Sequence, residues 1–210
     1  MDKIRNRAIE HLPSVLLTLL SIIQALALES LWESTIHRPE FFDWSWMAFL
    51  GWLQAIVTLL VIVLIWLIYV ALVMRFRWTP AFADLALPFV VGIGQLALIE
   101  FTAPSMLGPW CLALGILGAT TMAIDYRFVR CARLDEQNKE FFDNVLPATW
   151  RDFAPQISFV IFAIGAGVII LATGHNGWFA LATLLFALIA MVHITWIQTY
   201  FWNKSMGNQL

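Results

Sequence analysis

The chain reads as an all-α polytopic membrane protein: a single integral membrane domain, residues 1–210, with six transmembrane helices and both termini cytoplasmic. Three observations predict this. Apolar residues make up 61% of the chain and charged residues 12%, where a soluble domain carries about 25% charged residues; mean hydropathy is +0.80. Six apolar stretches, about 13–32, 47–74, 84–103, 107–125, 156–173 and 177–201, match the ~20 residues that cross ~30 Å of hydrocarbon. Every Lys and Arg except Arg38 then falls on one side of the alternating path, and basic residues resist translocation, so that side is the cytoplasm.

The first span follows Lys3, Arg5 and Arg7. Its basic start, apolar run and Ala25-Leu26-Ala27 have signal-peptide character, and the segment is read as a retained signal anchor. Residues 33–46 extend this helix, turn at Pro39, and lie in the interface on Phe41, Phe42, Trp44 and Trp46. The second span is dense in Val, Ile and Leu and should face lipid widely. The third, fourth and fifth carry small residues, including Gly92, Gly94, Gly115, Gly118, Ala163 and Gly167. Small residues let helix backbones approach, so these three spans should pack centrally. Pro104, Gly108 and Pro109 mark the turn between the third and fourth, and Thr173 to Gly177 that between the fifth and sixth.

Between the fourth and fifth spans lies the one substantial polar segment, residues 126–155. Phe128, Cys131, Leu134, Phe141 and Val145 recur at helical spacing, and Asp135 and Lys139 form an i,i+4 pair. This predicts an amphipathic cytoplasmic helix continuing the fourth span and broken near Pro147, either a solvated device on the bilayer surface or a docking surface. Tryptophan supports the boundaries, because Trp and Tyr prefer the headgroup level. Trp32, Trp44, Trp46, Trp110 and Trp178 fall at outer ends; Trp78, Trp150 and Trp202, with Tyr126 and Tyr200, fall at inner ends.

Ionisable groups inside a membrane are costly and mark function. Residues 24–29 read QALALE in the first span and residues 95–100 read QLALIE in the third. The same register aligns Leu16 with Leu87 and Ile22 with Ile93. This is a faint parallel repeat. Glu29 and Glu100 occupy equivalent places near the outer ends, with Gln24 and Gln95 five residues deeper and on another face. If the two helices adjoin, the carboxylates converge on an outward cavity that gathers a cation or a proton; the alternative leaves both in water at headgroup level. His193 is the one histidine deep in a span, for a proton relay or an interhelical hydrogen bond. Gln54, Thr58, Thr120 and Thr121 read as interhelical hydrogen-bond partners. Asp84 and Asp125 mark inner helix ends, Asp84 as an N-cap.

A metal site would fall on Glu29, Glu33 and His37, spaced i, i+4, i+8, with Glu40, Asp43 and His175 nearby; no HExxH or other strong ligand spacing accompanies them. Cys111 and Cys131 are one helix length apart and cannot pair within a subunit. No phosphate loop, GxSxG, selectivity-filter motif, Arg-periodic voltage sensor or lysine within a span is present, so an enzyme is the least supported class; any cofactor is left unknown. Net charge is −2 without a basic, aromatic-interleaved surface, which excludes nucleic acid as partner.

The function this supports is a small transporter or channel for a cation, proton or small solute, with Glu29, Glu100, Gln24, Gln95 and His193 lining the polar path. On that reading Glu29→Gln with Glu100→Gln removes the activity. The alternatives are a non-catalytic membrane subunit or assembly scaffold, and a binder of lipid or another hydrophobic ligand. The expected partners are membrane lipids and either further copies of the chain or another membrane protein, in a bacterial inner membrane.

Overall fold

In the computed structural model, which describes residues 2–79, 81–144, 150–174 and 177–206, the chain is all-helical. The described residues form seven α-helices: α1 (Asp2–Ile36), α2 (Trp46–Arg75), α3 (Leu87–Glu100), α4 (Leu107–Ala132), α5 (Lys139–Asn144), α6 (Ala154–Thr173) and α7 (Trp178–Ser205). Five of them (α1, α2, α4, α6 and α7) are long and apolar enough to cross a membrane. The predicted span at 84–103 is shorter: α3 has 14 residues and is preceded by a 3-10 turn, Phe82–Ala86.

Local signals explain the ends. Ser45 caps α2 by accepting from the Ala48 N–H at 3.1 Å. Proline stands in the first turn of α3, α4 and α6, where its missing N–H has no helical partner to lose. Gly174 ends α6 at φ +67°, a left-handed conformation open to glycine, and its N–H bonds Ile170 O at 2.8 Å. Asp84 does not cap α3. It lies in the 3-10 turn and reaches back to the Ala81 N–H at 2.8 Å, while its other oxygen pairs with Arg127 at 2.8 Å.

Six helices form a closed ring in the order α1, α2, α7, α6, α4, α3. Trp46 meets Trp178 at 5.4 Å and Arg75 lies over the Trp202 ring at 5.3 Å, so α2 and α7 run parallel. α4 and α6 pack closest. A Cβ on Gly115 would stand 2.6 Å from Ile164 Cγ1, and one on Gly167 would stand 3.0 Å from Gly108 O. The small residues of the fourth and fifth predicted spans therefore do let backbones meet, as helix packing without a hydrophobic drive requires, whereas Gly92 and Gly94 of the third meet the side chains of Ile23 and Leu117, and in the ring none of the three is central. Apolar side chains such as Ile93, Ile116, Ile161 and Ile189 point outward, each more than 60% exposed, as suits a lipid solvent.

The polar segment after α4 differs from its prediction. The helix stops at Ala132, and a 3-10 turn (Glu136–Asn138) and α5 fold back under the ring. Phe128 and Phe142 are buried there with Phe76 and Trp78, and Phe76 stacks on Phe142 at 5.4 Å. Leu134 is exposed, and Val145 and Pro147 lie outside the described residues. The segment is thus packed against the bundle rather than lying free. Asn138 is the clasp: Nδ2 donates to Arg77 O at 2.6 Å and to Ala132 O at 2.7 Å, and Oδ1 accepts from the Arg77 N–H at 3.1 Å.

Candidate functional site

At the centre of the ring is a cavity of about 100 Å³, room for a few water molecules. All six ring helices reach it: Leu20 from α1, Tyr69 from α2, Val91 from α3, Asp125 from α4, Gln156 from α6 and Met191 from α7 are among its lining. The walls are mainly Leu, Ile, Val and Met. Against them stand three polar side chains whose groups are not paired off. Asp125 has no hydrogen-bond or ion-pair partner among the described residues. Tyr69 Oη and Gln156 Oε1 are buried without a partner among them. Buried polar groups are nearly always satisfied, so two such atoms beside the half-buried Asp125 carboxylate invite a bound water, ion or proton.

A buried cluster adjoins each end of the cavity, which is partly open to the outside. Towards the C-terminus of α4, the floor is the aromatic cluster of Trp78, Phe128, Phe76 and Phe142 beside Tyr69, with Trp78 and Phe128 edge-to-face at 5.0 Å. Towards the other end, a buried network ties α2, α3 and α4 together. The Trp110 Nε1–H donates to Thr58 Oγ1 at 3.0 Å, Thr58 lies 3.3 Å from Thr102 Oγ1, and Gln54 Nε2 donates to Phe101 O at 2.9 Å. Arg38 fastens the same end by donating to the carbonyls of Thr102 and Glu100 at 2.8 and 3.2 Å.

The residues singled out from sequence divide into two groups. Gln24 and Gln95 meet: α1 lies against α3, and Gln95 Nε2 donates to Gln24 Oε1 at 3.1 Å, both side chains buried. Equivalent positions of the faint repeat therefore bond to each other, and neither lines the cavity. Glu29 and Glu100 are exposed on the outside of the same pair, and no hydrogen bond or ion pair of their side chains is found among the described residues. His193 is exposed as well, stacked on Trp196 at 6.1 Å rather than hydrogen-bonded between helices. Glu33 and His37 are exposed, and no group of three His, Cys, Asp or Glu side chains able to hold a metal occurs among the described residues. His175 lies outside them.

Three further expectations change. Trp110 and Trp78 are buried at 0% and 2% exposure instead of anchoring in headgroups. Thr120 and Thr121 bond carbonyls of their own helix instead of a neighbour. Gln54 and Thr58 do link helices, as expected. Asp125, read as marking a helix end, sits seven residues inside the end of α4 and on the cavity. The sequence held a signal for it: a carboxylate one turn beyond Thr121, with α4 continuing past it.

The chain matches no protein-family model, no curated protein and no solved structure.

Proposed function

We propose that this chain is a non-enzymatic, six-span membrane transporter or channel that moves a proton or small cation by way of Asp125. The observation that carries the reading is the cavity ringed by six helices, with an unpartnered carboxylate on its wall. A carboxylate that a helix bundle turns onto an internal apolar cavity is costly and is kept where it binds or relays charge. The small volume and the few oxygens suit a proton or a small ion better than a bulky solute.

The sixth crossing on this reading is α3 with its leading turn. Together they rise about 31 Å at 1.5 Å per α residue and ~2 Å per 3-10 residue, against ~30 Å of hydrocarbon. The basic end of the molecule, with Arg77 and Arg127 near the aromatic floor, is then cytoplasmic, and both termini with it, in a bacterial inner membrane. The floor acts as the inner gate and the Trp110 network as the outer one.

A second reading has its own support. Trp196, Tyr200 and His193 form an exposed aromatic ladder on α7, which suits a subunit that binds another membrane protein or a second copy.

The test is proton and monovalent-cation flux into proteoliposomes holding wild type, Asp125→Asn, or Glu29→Gln with Glu100→Gln. Flux abolished by Asp125→Asn and retained in the double variant is the expected result. Flux unchanged by Asp125→Asn removes the cavity from the mechanism. No flux in wild type removes transport and favours the subunit reading, to be pursued through what co-purifies.

A further inference from the structure

The outer surface of the ring carries an open apolar groove along the seam of α3 and α4. It has a volume of about 550 Å³ beside Arg127 and continues into a further 440 Å³ towards the other end, the two parts sharing Val90, Ile116 and Thr120. Ala119, Thr120 and Ala123 leave space in it, and Val90, Ile116 and Ile164 stand beside it. Thr120 spends its hydroxyl on Ile116 O at 2.8 Å, so that side chain offers no free donor to an occupant. In the part beside Arg127, the rise along α4 from Arg127 to Ile116 is about 16 Å, or half of the ~30 Å hydrocarbon core.

The groove ends on a held cation. Arg127 Nη2 contacts Asp84 Oδ1 at 2.8 Å, and the other Asp84 oxygen is taken by the Ala81 N–H, so the carboxylate fixes the guanidinium in place. Arg127 has five N–H donors in a fork, and no partner other than Asp84 is found among the described residues. Its side chain remains 45% exposed. Arg130, one turn on, is exposed and has no partner among the described residues, which leaves an excess positive charge there. By contrast, the groove that ends at Arg77 also contains Glu10.

We propose that the α3–α4 groove holds one acyl chain of an anionic phospholipid whose phosphate is bound by Arg127. The length of the part beside Arg127, its apolar lining and the charge at its end all match that occupant. A planar guanidinium is suited to bidentate phosphate binding. The inference rests on the membrane-length helices and not on transport, so a negative flux assay leaves it standing.

The test is native mass spectrometry of protein released from nanodiscs containing equimolar phosphatidylglycerol, phosphatidylcholine and diacylglycerol. Three proteins are compared: wild type, Arg127→Gln and Ala123→Phe. Wild type should retain phosphatidylglycerol over the phosphate-free diacylglycerol. Arg127→Gln should lower that retention about tenfold or more, the worth of a lost charge-assisted hydrogen bond. Ala123→Phe keeps Arg127 and its pairing with Asp84, and fills the groove at an exposed position, so it should lower retention without harming the fold. Equal retention of phosphatidylglycerol and diacylglycerol by wild type overturns the proposal. So does unchanged retention in Ala123→Phe, or cross-linking that shows a second copy of the chain seated in the groove.

Discussion

Removing the Asn138 side chain should loosen the floor of the cavity. Asn138 is 5% exposed and makes three hydrogen bonds to main-chain groups: donation to Arg77 O and Ala132 O at 2.6 and 2.7 Å, and acceptance from the Arg77 N–H at 3.1 Å. Each is worth about 1 kcal/mol net, and a group left buried and unpaired costs more. Arg77 is only half-buried, so water recovers part of the loss. Asn138→Ala should therefore cost about 2–4 kcal/mol. At about 2–4 °C per kcal/mol for a chain of this size, the melting temperature in detergent falls by roughly 4–16 °C. Amide exchange at Arg77 should rise with it. Asn138→Asp is the sharper variant: it keeps the acceptor but sets a carboxylate oxygen against two carbonyl oxygens, so it should be no more stable than the alanine variant. An alanine variant within 1 °C of wild type, or an aspartate variant more stable than alanine, would refute the clasp.

Gly115→Val should destabilise by about 1–3 kcal/mol by thermal melting, because its Cβ would meet Ile164 Cγ1 at 2.6 Å and Ile164 N at 3.2 Å. Gly165→Ala in α6 is the control: nothing stands within 4 Å of its Cβ, so it should be neutral or up to about 1 kcal/mol stabilising. In a cycle of Gln24→Leu and Gln95→Leu, the double variant should cost less than the sum of the singles by about 0.5–1.5 kcal/mol, since only the singles leave an amide without its partner. Strict additivity would argue that the bond between α1 and α3 contributes nothing.

The sequence by itself determined the helices, most of their ends and the side on which the basic residues collect. Those signals are local: hydropathy over ~20 residues, Pro104, Gly108 and Pro109 at one turn, and Thr173 to Gly177 at another. It also marked Gln24 and Gln95 as a related pair, through a register that the fold turns into a contact. What it left undetermined is which way each helix faces. In water an apolar stripe names the buried side, but in lipid the outside is apolar too, so the pattern along α7 or α4 does not distinguish core from surface. That is why His193 reads as interior but is exposed, and why Trp110 and Trp78 read as headgroup anchors but are buried. The same holds for charge. Glu29 and Glu100 were the conspicuous carboxylates, yet the rotation of α1 and α3 turns them outward. Only the closing of six helices into a ring brings Asp125, Tyr69 and Gln156, 87 positions apart at the extremes of the chain, onto one cavity.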